Sequence, residues 1–238
     1  MMINIRSLIM IIPFIASLVV YADGFKETNF IKKNYIRLDV GYSHLLNRLS
    51  SNHDKHEIKV FLGSLGVGYI VNSHFRTDVT ATYRGKYKYR SRNTSGSESQ
   101  DIHSSALMIN GYWHPINSYR CHRRLRKLKS FSPYLMAGIG YAINTSDNHY
   151  VTSTSRTQVL LGRKKENLAW QVGGGVLLNM SKNINLDFSY RYTDLGNTST
   201  YGVVVGVPAT VNSLGLYKPV KSHLNIHEFI MGMHIKFN

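Results

Sequence analysis

Tyr35-Ile36-Arg37-Leu38-Asp39-Val40-Gly41-Tyr42-Ser43 puts Ile36, Leu38, Val40 and Tyr42 on one face of an extended chain and Arg37, Asp39, Gly41 and Ser43 on the other. A period of two is the signature of a strand with two unlike faces. The polar face carries charges of both signs, which suits the interior of a narrow barrel better than the core of a sandwich.

The same alternation recurs along the chain. It appears at Phe61-Gly63-Leu65-Val67-Tyr69 and at Phe75-Thr77-Val79-Ala81-Tyr83, where His74, Arg76, Asp78, Thr80, Thr82 and Arg84 lie opposite. It returns at Leu107-Ile109-Gly111-Trp113, Leu135-Ala137-Ile139-Tyr141, Leu168-Trp170-Val172-Gly174-Val176, Leu186-Phe188-Tyr190-Tyr192 and Phe229-Met231-Met233-Ile235-Phe237. About eight strands follow, an even number and the smallest size usual for bacterial barrels. The expected fold is all-β: a transmembrane up-and-down antiparallel barrel.

The connections alternate in length. Val71-Asn72-Ser73 and Ser181-Lys182-Asn183 read as tight turns, whereas 47–57, 88–101, 145–167 and 194–222 are long, polar and rich in Ser, Thr, Asn, Gly and Lys. With a periplasmic N-terminus, up-and-down threading puts the long connections outside the cell and the short ones inside. The connection 114–133 breaks this rhythm, being long on the side where short turns belong. Tyr35, Tyr42, Tyr69, Tyr83, Tyr87, Trp113, Tyr134, Tyr141, Trp170, Tyr190 and Tyr192 fall near strand ends. Amphipathic rings favour the headgroup level, so two aromatic girdles are expected.

At the N-terminus Arg6 precedes an apolar run from Leu8 to Val20, then Tyr21-Ala22 before Asp23. A basic start, an apolar stretch of roughly 7–15 residues and small residues at the cleavage positions describe a secretory signal peptide. Residues 1–22 are read as that signal and 23–238 as a single barrel domain. No later stretch approaches the roughly 20 apolar residues of a membrane helix. A hydrophobic fraction of 43% and a mean hydropathy of −0.20 exclude nothing, because a barrel strand places only every second side chain in lipid. The single Cys121 can form no internal disulfide.

Arg37, Asp39, Arg76, Asp78, Arg84, Asp187, Arg191, Glu228 and Lys236 project to the expected lumen. Side chains nearly fill a barrel of about eight strands, so these charges read as a mutually satisfied plug. Arg191 and Glu228, on strands expected to be adjacent, are proposed as one pair. The sharper alternative is a narrow ion pore, although wide aqueous channels need about 16 strands.

A formal net charge of +16, from 29 Lys and Arg against 13 Asp and Glu, asks for an anionic partner. Export and the lack of any nucleic-acid motif argue against nucleic acid. The charge concentrates in Arg84–Arg92, where Lys86, Lys88, Arg90 and Arg92 are the candidate ligand-binding residues of the second outer loop. There they would meet lipid phosphates or sulfated host glycans. It concentrates again around Cys121, with Arg120, Arg123, Arg124, Arg126, Lys127 and Lys129. Polybasic segments gain roughly 1 kcal/mol per residue near an anionic surface.

Catalysis finds little support. Ser222, His223, His227 and Glu228 cluster in sequence, but no local signature accompanies them. His53 and His56 alone have a spacing that hints at a metal, and two ligands do not define a site. Gly138, Gly140 and Gly173-Gly174-Gly175 sit inside strands, not in the strand-to-helix loops that hold nucleotides. The expectation is no enzyme, no cofactor and no metal.

Six segments carry a family resemblance: "YIRLDVGYS", "LGVGYIVNSHFRTDVTATYRG", "LMINGYW", "PYLMAGIGYAI", "LAWQVGGGVLLNMSKNINLDFSYRYTDLG" and "HEFIMGMHIKF". With them the chain resembles the opacity-protein and OmpA-like small outer-membrane barrels, among them the surface antigens and adhesins of intracellular bacteria such as rickettsiae. The resemblance implies insertion by the barrel-assembly machinery through a C-terminal sorting signal, matched here by Gly232, Ile235 and Phe237. It further implies a surface-exposed outer-membrane protein that touches outer-membrane lipid and binds a host-cell surface protein or glycan through its long loops. A structural outer-membrane protein or a narrow ion-conducting porin is the alternative.

Overall fold

A computed structural model describes residues 33–45, 58–93, 96–115, 131–153, 157–199, 203–207, 215–216 and 221–237. The expected signal peptide, His53 and His56, and the basic stretch around Cys121 lie outside the described residues.

Twelve strands are formed among the described residues: β1 (Asn34–Leu45), β2 (Ile58–Ile70), β3 (Phe75–Asn93), β4 (Gly96–Trp113), β5 (Phe131–Ser146), β6 (His149–Ser153), β7 (Thr157–Leu160), β8 (Lys164–Asn179), β9 (Ile184–Ser199), β10 (Val203–Val207), β11 (Gly215–Leu216) and β12 (Lys221–Lys236). Eight of them close on themselves in the cyclic order β1-β2-β3-β4-β5-β8-β9-β12, every pair antiparallel. Closure comes from the first and last strands, with Ile36 opposite Ile235 and Leu45 opposite Ile226. Each barrel strand thus has two partners, and no backbone edge faces lipid.

The alternation read from the sequence is the alternation of the two surfaces. Leu38, Val40, Phe61, Leu65, Ile109, Leu135, Leu168 and Phe229 all point outward, with Phe61 68% and Leu168 72% exposed. Inside, Arg37, Asp187 and Glu228 are 0% exposed. Such a distribution is inverted for water and correct for lipid. Aromatics ring the outer surface in contact with one another: Tyr42 with Phe61 at 4.2 Å between ring centres, Tyr190 with Phe229 at 5.1 Å, and Trp170 with Tyr192 at 5.5 Å. Three of the expected girdle residues instead point into the lumen, where Tyr35, Tyr87 and Tyr134 are almost fully buried.

One end of the barrel carries the tight turns. Asn72 Oδ1 accepts from the backbone amides of His74 (2.8 Å) and Phe75 (2.9 Å), and Ser181 Oγ accepts from those of Asn183 (3.3 Å) and Ile184 (3.1 Å). A short polar side chain replaces a backbone acceptor in both, which is why these residue types make tight turns.

The other end corrects the sequence reading. The segments 88–101, 145–167 and 194–222 are largely strand instead of loop. β3 and β4 run on together to the pair Asn93 and Gly96, β6 joins β4 at Gly96–Ser99, β7 joins β6, and β10 joins β7 and β11. Three connections from different parts of the chain therefore share one sheet that continues beyond the barrel wall. Ser- and Thr-rich segments satisfy their backbone groups on a neighbour's overhanging edge, a pairing that composition alone does not announce.

Candidate functional site

Two charged layers and one apolar layer fill the lumen. Nearest the short turns, Arg37 Nε donates to both oxygens of Asp39 (2.7 and 2.8 Å), and its Nη1 donates to Tyr112 Oη (2.8 Å). Asp78 accepts from Asn110 Nδ2 at 2.7 Å and from the hydroxyls of Tyr35 and Tyr112, both at 3.1 Å. Asp187 accepts from Tyr134 Oη at 2.6 Å and has His234 Nε2 at 3.2 Å, Arg76 Nη2 at 3.5 Å and Arg37 Nη2 at 3.6 Å. The Arg76 guanidinium also lies 4.0 Å from the Tyr112 ring centre and 4.7 Å from that of Tyr134. Stacking on ring faces suits a planar, weakly hydrated cation.

The second layer holds Arg84, Arg191 and Glu228. The sequence pairs Arg191 with Glu228, and the two do stand opposite each other on β9 and β12. Yet the nearer cation is Arg84, whose Nε donates to Glu228 Oε1 at 2.7 Å from across the lumen, while Arg191 Nε stands at 3.8 Å. Thr193 Oγ1 adds a hydrogen bond to Glu228 Oε2 at 3.1 Å. Four deeply buried arginines, Arg37, Arg76, Arg84 and Arg191, thus balance four buried carboxylates, Asp39, Asp78, Asp187 and Glu228.

The third layer has no counterpart in the sequence reading. Leu45, Tyr87, Ile102, Ala106, Met108, Ala142, Ala169, Leu195, Leu224 and Ile226 form an apolar cluster inside the barrel, on the side of the long strands. At this height the outer surface turns polar, with Lys59, His44 and His227 in successive register positions on β2, β1 and β12. The hydrophobic phase has inverted: Phe229 and Met231 face out, whereas Leu224 and Ile226 face in. That is the pattern of a small barrel in water. The sequence signal of this inversion is a phase slip between Ile226 and Phe229, outside the lipid-facing half of the strand.

Two bulges complete the change. One extra residue on β3 between Arg84 and Tyr87 keeps Arg84 inward, turns Lys86 and Lys88 outward and swings Tyr87 into the apolar layer, where its hydroxyl lies 2.6 Å from Ser43 Oγ. An extra residue on β9 at Gly196, whose φ is +73°, does the same beside β12. Glycine adopts that left-handed backbone without a Cβ penalty.

Of the four candidate ligand-binding residues, Lys86 is held by Asp147 (Nζ to Oδ2, 2.8 Å) and Lys88 stands opposite Asp101 in the β3–β4 register. Arg90 and Arg92 belong to the same strand, and their side chains lie outside the described residues. Of the first pair, Lys86 is thus paired with an acid of another connection, and Lys88 is exposed. The Ser222–Glu228 cluster is likewise divided. His223 faces out and bonds Asp194 Oδ2 (2.9 Å) and Asn197 Oδ1 (3.0 Å), His227 faces out and bonds the Tyr190 hydroxyl, and Glu228 lies inside with Arg84.

Gly232, one of the three sorting-signal positions, faces the lumen, and a Cβ there would collide with Asp39 Oδ1. Ile235 and Phe237 face outward. Gly232→Ala is therefore expected to reduce refolding into detergent micelles with no assembly machinery present. A residue needed only as a sorting signal would refold normally in that assay and fail only in cells.

With this geometry in view, comparison with known proteins gives a consistent result. A family model described as outer membrane protein beta-barrel domain matches residues 12–209. Outer membrane protein PagN of Salmonella typhimurium is 26% identical over 152 residues, covering 59% of this chain and 59% of PagN. Virulence membrane protein PagC of the same organism is 26% identical over 162 residues, covering 68% of this chain and 84% of PagC. Among solved structures, Neisserial surface protein A superposes with a TM-score of 0.50 at 16% identity, covering 86% of this chain and 97% of that one.

Proposed function

Because the chain belongs to the outer membrane protein beta-barrel domain family and is an outer-membrane protein related to PagN and PagC, we propose that it is a surface adhesin. The sheet at its long-strand end faces out of the cell and binds a host or extracellular component. The observation that carries this reading is the joining of three long connections into one sheet beyond the apolar band. A scaffold that holds its connections in fixed positions is how loops carry recognition. Backbone pairing among β4, β6, β7 and β10 lowers the ordering cost that separate mobile loops would meet on binding.

PagC bears the name of a virulence membrane protein, which favours the same direction. The chain spans 59% of PagN's length, and the role assigned here rests on its own surface. No catalytic role is proposed, since Ser222, His223, His227 and Glu228 diverge to both faces of β12. The apolar cluster weighs against an ion-conducting porin, because it interrupts any polar path along the lumen at one level.

The test is an exchange of 88–101, 147–163 and 199–220 for short turns with the barrel retained. Whole cells carrying the exchanged protein are expected to lose host-cell binding while the barrel remains folded. In planar bilayers neither protein should conduct. Undiminished binding by the loop-exchanged cells contradicts the adhesin reading, and stepwise conductance favours the porin.

A further inference from the structure

At the short-turn mouth of the lumen lies a cavity of about 90 Å³, with room for several water molecules. Arg76, Lys236, His114 and His234 line it, together with neutral groups that include Asn185 and Ser132. No carboxylate lines it among the described residues. Since the four deeply buried arginines and four carboxylates already balance, Lys236 is a surplus cation placed at this mouth.

The hydrogen bonding is also incomplete here. Arg76 is 5% exposed, and its Nη1 lies 3.0 Å from His234 Nδ1. Its Nη2 faces Asp187 Oδ2 at 3.5 Å, and Nε2 of His234, which is 2% exposed, faces the same oxygen at 3.2 Å, so Arg76 Nε is the guanidinium donor left without a partner among the described residues. A buried guanidinium N–H left without an acceptor is costly, and a charged donor of this kind matches an oxyanion. Lys236 Nζ reaches Asn185 Oδ1 at 3.1 Å in the amide orientation that the neighbours of Asn185 require. The ammonium is thereby held at the cavity, with donor capacity to spare.

We propose that this cavity is an oxyanion site for one phosphate group, either free in solution or on a lipid headgroup of the leaflet at the short-turn end. Arg76 Nε supplies one charged donor, Lys236 the surplus charge, and the hydrogen-bonded pair of His114 and Ser132 a neutral donor. The site stands apart from the adhesin reading, because it lies at the opposite end of the barrel from the outer sheet.

Titration calorimetry of the detergent-refolded barrel with inorganic phosphate, at ionic strength held constant with chloride, is the test. Saturable binding is expected, weakened about tenfold or more by Lys236→Gln, the loss appropriate to one charge-assisted hydrogen bond. Lys182→Gln, on the neighbouring turn outside the cavity, should bind as wild type does. Arg76→Gln should abolish binding but also perturbs the packed lumen, so Lys236→Gln is the deciding variant. If inorganic phosphate does not titrate, the same proteins are compared in nanodiscs of phosphatidylcholine with and without phosphatidic acid. A rise in melting temperature that depends on phosphatidic acid and on Lys236 identifies the headgroup as the source. Binding insensitive to Lys236→Gln, or no effect of either phosphate source, overturns the proposal.

Discussion

Asp187→Ala is expected to cost about 3–5 kcal/mol and to be the most damaging single truncation in the barrel, because it strands buried cations without their anion. Asp187 is completely buried and is approached by Arg37, Arg76 and His234 as well as by the Tyr134 hydroxyl. Asp78 provides the contrast. Its partners are the neutral donors Asn110, Tyr35 and Tyr112 and one cation, Arg37 Nη1 at 3.4 Å, which keeps Asp39 at 2.7 Å when Asp78 is removed, whereas Arg76 has its acid in Asp187. Removal of a partner of neutral donors leaves unsatisfied groups worth about 1–3 kcal/mol, so Asp78→Ala should be the milder change. Denaturant-dependent unfolding in lipid vesicles gives both values, and equal losses would show that the lumen charges do not act through the contacts described.

Glu228→Ala is the second large effect, again about 3–5 kcal/mol, since Arg84 would remain buried without its anion. The geometry separates the two arginines. Arg191→Met, which keeps the volume and removes a buried cation 3.8 Å from Glu228 whose guanidinium nitrogens have no hydrogen-bond partner among the described residues, should be close to neutral. Replacing the close pair together, as Arg84→Met with Glu228→Leu, should recover most of the loss from Glu228→Ala, because hydrophobic replacement of a whole buried pair is often neutral. If Arg191→Met is the more costly variant and the Arg84 double change recovers nothing, then Arg191 is the true partner.

That reassignment shows what a single sequence can carry. Which residues face the lumen was legible, since alternation assigns Arg37, Asp39, Arg76, Asp78, Arg84, Asp187, Arg191 and Glu228 to one side of their strands. Which strands are neighbours was legible too, from chain order and closure. A contact across the lumen was not: Arg84 on β3 reaches β12 with β2 and β1 between them in the wall. Pairing by adjacency therefore chose Arg191.

Other differences share a local cause. The bulge after Arg84 adds one residue, and one residue is enough to exchange the faces of everything that follows. Strict alternation leaves Lys86 on the lumen side and Tyr87 outside, whereas the structure has the reverse. Tyr35 and Tyr134 were read as girdle residues from their position at strand ends, yet their parity puts them inside, where their hydroxyls bond Asp78 and Asp187. The apolar layer was hidden because the lipid-facing pattern gives way to a water-facing one partway along each strand. The sheet built from β6, β7, β10 and β11 was hidden because its strands are short and pair with segments far away in sequence.

The adhesin role depends on which end of the barrel faces outward, and the single native cysteine offers a direct test. Cys121 falls in sequence between Trp113, the last residue of β4, and Phe131, the first of β5, and those two strand ends lie opposite the β3–β4 hairpin. A membrane-impermeant maleimide should leave Cys121 unlabelled on intact cells and label it once the outer membrane is permeabilised. In a Cys121→Ser background, Ser97→Cys on the hairpin should be labelled on intact cells. Labelling of Cys121 without permeabilisation, with Ser97→Cys protected, would place the sheet inside the envelope and contradict the proposed function.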